Sequence, residues 1–286
     1  MKPSAFQYHA PTTIAEAVTT LATVAPEDGR IIAGGQSLVP AMALRLAQPA
    51  HLVDINGIAA LDRIEARDGV LSIGACVRHA AFERPAIEGP LGRLLSDVAR
   101  HIAHYPIRTR GTFCGSIANA DPASEWCLVA ATLAATMIAC SSRGERALPV
   151  SDFFQGIMTT ALAADELLTE VRLPLLSADA RCGFNEFSRR AGDFAIAMAL
   201  VTYRVQSGVI IEPCVGVGGV EARPRRIPDA EAVLSGRAPG ATLFSDAAER
   251  ASAVLQPIEG EEDAIAYKRD VTRAVVRRAL ETAESA

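Results

Sequence analysis

The sequence is short of positive charge. Lys and Arg total 28 against 33 Asp and Glu, a formal net charge of −5, which excludes nucleic acid as the main partner because neutralising phosphates requires a basic face. Aromatic residues are scarce too, at 5% with a single Trp, so there is no supply of stacking platforms for bases. The six cysteines, Cys76, Cys114, Cys127, Cys140, Cys182 and Cys214, are never closer than 13 positions. Zinc ribbons and iron–sulfur clusters need closely spaced thiolates, so neither is encoded. No apolar signal segment follows Met1-Lys2-Pro3, and the expectation is a cytoplasmic protein with reduced thiols. The longest uncharged apolar stretch, residues 126–140, falls short of the roughly 20 residues that a membrane span needs. What remains is a folded balance, half hydrophobic and 21% charged over 286 residues, enough for about two domains.

Patterning predicts the elements. Thr13-Ile14-Ala15-Glu16 has the spacing of a capping box, and Ile14, Val18 and Leu21 then share one face. Residues 30–33 read as a short buried strand, 38–46 as a helix with Met42 and Leu46 below Leu38, and 51–55 as a strand. Residues 64–66 and 70–74 form a hairpin across Arg67-Asp68-Gly69, since Asp-Gly favours tight turns. Helical patterns follow at 77–82 and 91–101, an irregular stretch dense in small residues at 106–125, a helix at 126–133, and strands at 136–140, 146–150 and 166–173. After a linker at 175–181, strands at 184–188, 197–205 and 209–220 lead to helices at 245–255 and 264–282. The class is α+β, with a two-lobed N-terminal part and a C-terminal part of strands followed by helices.

Two glycine turns carry the chemical signal: Ala33-Gly34-Gly35-Gln36-Ser37 and Arg110-Gly111-Thr112-Phe113-Cys114-Gly115-Ser116. A glycine pair after a strand lets backbone amides approach a ligand closely, and amides at a following helix start can donate to phosphate oxygens. Either turn alone is equally well a tight connection; two could grip a pyrophosphate from opposite sides. Asn119, Asp121 and Glu125 follow the second turn and suit either ribose hydroxyls or the capping of the next helix. Gly216-Val217-Gly218-Gly219 is no dinucleotide fingerprint, because Glu221, Arg223 and Pro224 follow it rather than a helix. It reads as strand.

Ala33-Gly34-Gly35-Gln36-Ser37-Leu38, followed by Pro40 and Met42, resembles the first flavin loop of the FAD-binding medium subunit of molybdenum hydroxylases, the family of carbon monoxide, xanthine, nicotine and caffeine dehydrogenases. Thr112-Phe113-Cys114-Gly115-Ser116 and Ala120-Asp121-Pro122-Ala123-Ser124-Glu125 resemble its second loop. Asp152-Phe153-Phe154, Asp165-Glu166-Leu167-Leu168 and Arg189-Arg190-Ala191-Gly192-Asp193-Phe194-Ala195 follow in the family's order. The resemblance implies a two-lobed flavin-binding fold of the vanillyl-alcohol-oxidase type, with lobes at 1–57 and 58–176 and a C-terminal flavoprotein domain at 178–286. It implies noncovalent FAD held by Ile32, Ala33, Gly34, Gly35, Gln36, Ser37 and Leu38 at the pyrophosphate, and by Thr112, Cys114, Gly115, Ser116 and Asn119 at the phosphates and ribityl chain. Asp121 lies near the same cofactor, Glu125 on the adenosine ribose, Leu168 toward the adenine and Phe194 beside the isoalloxazine. Cys114 replaces a usual Gly, which predicts a slightly displaced loop. Glu125 replaces a usual Asp, and Asn185 and Glu186 lack the charge of a Lys common in relatives.

By the same resemblance the molybdenum cofactor belongs to a large partner subunit and two 2Fe-2S clusters to a small one, in a dimer of heterotrimers. This chain then passes electrons from the clusters to NAD, oxygen or another acceptor, and no side chain of its own is assigned as acid or base. Two other readings follow from the residues: an interaction module whose nucleotide cleft has lost its ligand, with Arg189, Arg190, Arg223, Arg225 and Arg226 as a docking face, and a thiol enzyme using Cys114 and His104.

Overall fold

The structure is a computed structural model that describes residues 2–258 and 262–285. Its first unit runs β1 (Gln7–His9), α1 (Ile14–Val24), β2 (Gly29–Ile32), α2 (Leu38–Ala43) and β3 (His51–Asp54), with the strands parallel in the order β1-β3-β2. Thr13 caps α1, its hydroxyl accepting from the Glu16 amide at 3.1 Å. The Glu16 carboxylate reaches one residue beyond the expected box, accepting from the Thr12 amide and hydroxyl at 2.8 and 3.0 Å. Leu21 and Val24 of α1 close with Val53 into a small core. Residues 30–33, expected to be buried, are half-open at Ile31 and Ile32 because this edge faces a cleft. Helix α2 stops at Ala43 rather than 46: Arg45 turns left-handed at φ 57°, leaving Met42 buried and Leu46 81% exposed.

The second unit opens with β4 (Ile64–Arg67) and β5 (Val70–Gly74), joined as expected through Asp68 and Gly69 at φ 51° and 79°. It continues with α3 (Pro90–Ala99), α4 (Tyr105–Arg108), α5 (Phe113–Asn119), α6 (Glu125–Thr132), β6 (Thr136–Ser141), β7 (Gly144–Pro149), α7 (Val150–Phe153), β8 (Phe154–Gly156), β9 (Thr159–Thr160) and β10 (Leu167–Pro174). The sheet is antiparallel in the order β4-β5-β10-β6-β7. The stretch 106–125 is therefore not irregular, since it contains α4 and α5. Gly115 lowers helix propensity there, but the Thr112 hydroxyl accepts from the Gly115 amide at 3.0 Å, and burial of Phe113, Cys114 and Ile117 supplies the rest. The helix expected at 77–82 is only a short 3-10 turn, His79–Phe82. Phe82, Phe113 and Trp126 pack ring to ring in this core, their centroids 4.7 to 5.7 Å apart.

The third unit comprises β11 (Arg181–Phe187), β12 (Ala197–Gln206), β13 (Val209–Gly218), β14 (Arg225–Arg226), α8 (Pro228–Leu234), α9 (Ala241–Val254) and α10 (Glu262–Ser285), with the strands antiparallel in chain order. The sequence pattern had left β1, β8, β9, β14 and α8 unassigned, each being too short to show a period. One face of the sheet carries α10, so close that a Cβ on Gly183 would lie 2.0 Å from the Ala279 carbonyl oxygen. The other face receives α6, and a Cβ on Gly216 would meet Thr132 Oγ1 at 1.8 Å. The 216–219 glycines are thus a strand end, as read, and let a helix of the second unit rest on bare backbone.

Candidate functional site

The three units converge on a cleft of about 620 Å³, within the roughly 300–1,000 Å³ of small-molecule sites. Every residue singled out from the sequence lines it: Ile32, the run from Ala33 to Leu38, Thr112, Cys114, Gly115, Ser116, Asn119, Asp121, Glu125, Leu168 and Phe194. The first turn leaves β2 and starts α2; the second leaves α4 and starts α5. They meet directly. A Cβ on Gly34 would stand 2.3 Å from the Arg110 carbonyl oxygen and 2.7 Å from Gly111 Cα.

Beneath the second turn lies His79, whose amide donates to the Gly111 carbonyl at 3.0 Å. Its Nδ1 accepts from the Trp126 indole at 2.9 Å. Burial lowers the His79 pKa to about 4, helped by the Arg108 and Arg78 charges, so the ring is neutral with its proton on Nε2. Cys114 lies in the first turn of α5. Its side chain turns into the core, 2% exposed, and its thiol donates to the Ile73 carbonyl at 3.3 Å. Burial also pushes the thiol pKa far up, and the thiol pairs with Ile73 rather than with His104, the reverse of what activation as a nucleophile requires.

The acidic residues divide. Asp121 Oδ1 accepts from the Ala123 amide at 2.9 Å, closing the turn before α6. Glu125 faces the cleft and has no cation partner among the described residues; burial raises its carboxyl to about 7, with the Asp121 charge pushing the same way. Glu186, on β11, is raised to about 8 by burial and by Glu125, and its Oε2 has no hydrogen-bond partner among the described residues. Glu166 is the opposite case: Arg146 grips both its oxygens at 2.6 and 2.7 Å and holds its pKa below the usual carboxylate range. From the third unit, Gly192 at φ 84° packs on the His104 ring, and Phe194 stands 74% exposed at the cleft mouth.

His79, His104 and Glu166 also line the cleft, and sequence reasoning had given none of them a place at the cofactor. Glu166 left a trace as part of the Asp165-Glu166-Leu167-Leu168 run, and His104 only as a partner for Cys114. The chemistry of the donor set suits a flavin dinucleotide. Two backbone turns in contact present amides of the kind that hold a pyrophosphate, and the Glu125 carboxyl, with no cation beside it among the described residues, can accept from hydroxyls.

Comparison with known proteins agrees. Residues 4–176 match the family of the FAD binding domain in molybdopterin dehydrogenase, and residues 183–283 match the CO dehydrogenase flavoprotein C-terminal domain. The chain is an FAD-binding flavoprotein subunit of an oxidoreductase. It belongs to the family of medium subunits of the molybdopterin dehydrogenases. It is 37% identical to the nicotine 6-hydroxylase medium subunit of Paenarthrobacter nicotinovorans, over 98% of each chain. It is 36% identical to caffeine dehydrogenase subunit beta of a Pseudomonas species, over 98% of this chain and 95% of the relative. The solved carbon monoxide dehydrogenase of Hydrogenophaga pseudoflava superposes with a TM-score of 0.94 at 33% identity, covering 100% of this chain and 99% of that one. Among the described residues, no helix is long and apolar enough to cross a membrane.

Proposed function

We propose that this chain is the electron-exit component of a molybdenum hydroxylase. It takes electrons from the 2Fe-2S clusters of a small subunit after a large molybdenum subunit has oxidised the substrate, and delivers them to NAD, oxygen or another acceptor. The observation that carries the reading is the contact of two glycine turns at the floor of one cleft, in a chain whose cysteine spacing cannot ligate a cluster. When bound, FAD supplies the exchange between single electrons and electron pairs. This chain's own residues bind and orient it. Residues 32–38 and the second turn, through Thr112, Cys114, Gly115, Ser116 and Asn119, hold the diphosphate and ribityl chain with amides and hydroxyls. Glu125 accepts from the adenosine ribose with Asp121 beside it, Leu168 walls the adenine, and Phe194 lies against the isoalloxazine.

The division of labour places the cofactor between lobes 1–57 and 58–176, with residues 178–286 helping to hold the larger assembly. The complex is a cytoplasmic dimer of heterotrimers, a setting in keeping with six unbridged cysteines. The test is reconstitution: the purified chain is combined with its large and small partners, and flavin reduction is followed on adding substrate. Reduction only in the full mixture is the expected result; hydroxylation by this chain alone would overturn the reading.

The FAD is noncovalent. The cysteine closest to the turns, Cys114, points into the core with its thiol bonded to Ile73, away from any isoalloxazine. Acid or heat precipitation should leave all flavin in the supernatant, and flavin pelleting with the chain would contradict this.

A further inference from the structure

We infer that Asn56 and Arg78, neither of which lines the cleft, form a strap that sets the spacing of the two glycine turns and thereby the affinity for the FAD diphosphate. The inference rests on the reading of the cleft as the FAD site and adds the device that keeps it in register.

The strap begins on the first unit. Asp54, at the end of β3, accepts from the Tyr8 hydroxyl and, through Oδ1, from the Asn56 amide at 2.9 Å and Asn56 Nδ2 at 2.5 Å. The second hydrogen on Asn56 Nδ2 is donated to the Ala33 carbonyl at 2.8 Å, the residue that opens the first turn. Both neighbours of Nδ2 are acceptors, so the orientation of the side-chain amide is fixed. Its Oδ1 then accepts from Arg78 Nη2 at 2.5 Å. Arg78 belongs to the second unit, where it bridges Thr112 in antiparallel fashion.

The other arm of the guanidinium, Nη1, donates to the Arg110 carbonyl. That oxygen is also the atom against which Gly34 packs. One planar fork therefore joins a side chain bonded to the first turn with a backbone carbonyl of the second, at the point where the turns touch. A guanidinium suits this because its donors diverge in a fixed plane; a lysine ammonium on the same stem can satisfy one acceptor well but not both. Asn56 is exposed and Arg78 half-buried, so the strap contributes little to the core. Its effect is on geometry: backbone amides aimed at a diphosphate act only if both turns present them at once.

The experiment uses the full chain stripped of flavin. FAD and ADP dissociation constants are measured for the wild type, Asn56→Ala, Arg78→Ala, Arg78→Lys and the double alanine variant, with the Tm of each apoprotein. ADP carries the diphosphate without the isoalloxazine, so it isolates the site at which the strap acts. Each alanine variant should weaken FAD and ADP by the same factor, at least tenfold, while Arg78→Lys recovers part of the loss. The double variant should be no weaker than the weaker single one, because cutting the strap twice removes nothing further. Apoprotein Tm should move by no more than a few degrees. Constants within twofold of wild type, losses that multiply in the double variant, or a lowered Tm with unchanged affinity would each overturn the strap. A wild-type chain that binds neither ligand overturns the reading of the cleft and the strap together.

Discussion

Gly34→Ala yields a folded, colourless protein. A carbonyl oxygen meets a carbon at about 3.5 Å, whereas the new methyl would lie 2.3 Å from the Arg110 carbonyl oxygen and 2.7 Å from Gly111 Cα. Both neighbours are backbone and cannot rotate away, so the two turns must part by roughly 1 Å. Hydrogen bonds to a charged group are worth about 1.5–3 kcal/mol each. Losing two of them weakens FAD binding by about a hundredfold or more. The check is the flavin-to-protein ratio after gentle purification, with circular dichroism to show that the fold survives. Gly35 behaves differently. A Cβ there meets only side chains, Val39 at 3.1 Å and Ile32 at 3.4 Å, and the cost arises from its left-handed φ of 71°. Gly35→Asn, a residue that tolerates this region, should keep most of its flavin, and full flavin in Gly34→Ala would show that the turns do not act as a pair.

The second large effect is on stability as a function of pH. The Glu125 and Glu186 carboxyls stay protonated in the fold up to about 7 and about 8, because burial disfavours their charged forms. In the unfolded chain both ionise near 4.3. Between those limits the folded protein binds more protons than the unfolded one. The stability these groups contribute is therefore complete in acid and lost as pH rises through about 7 and about 8. Apoprotein Tm should fall from pH 6 to pH 9. Glu125→Gln and Glu186→Gln should flatten that fall and raise Tm at alkaline pH by several degrees each. A Tm that rises across this range, or Gln variants no more stable than wild type at pH 9, would contradict the assignment. Glu166 provides the internal control with the opposite sign: its pKa is depressed by Arg146, so its contribution is present above the unfolded carboxylate range and disappears only in acid.

What the sequence revealed was local or was carried by whole motifs. The Asp68-Gly69 hairpin was legible because its turn chemistry lies entirely within four residues. The cleft residues were legible because five ordered motifs resemble one family, and four of them contribute residues to one cavity, Asp152-Phe153-Phe154 being the exception. Helix α5 was not, since the packing of Phe113 against Phe82 and Trp126 stabilises a segment whose own composition argues against helix. The orientation of Cys114 was not legible for the same reason: whether its side chain enters the cleft or the core depends on β5, which offers the Ile73 carbonyl. His79 reaches the site only because the 79–82 turn folds under Gly111, and no spacing in the chain announces that. The pairing of Glu166 with Arg146 is likewise set by the β6–β7 hairpin lying beside β10.

The first unit's own core has kinetic consequences. Its separate cluster is Leu21, Val24 and Val53 with Ala25 and Ile31 packed against them, while only Ala17, Val18 and Ile55 reach into the far larger cluster of the second unit, with Ile14, Ile31 and Ala33 packed against it. A lobe so thinly supported opens by itself before the rest of the chain does. In hydrogen exchange, the amides of β2 and β3 should become labelled well ahead of those of β10 when the flavin is absent, and should slow toward the β10 rate when it is present. The ligand then acts as part of that lobe's interior, and the apoprotein's weak point is the same segment that has to receive the cofactor during assembly.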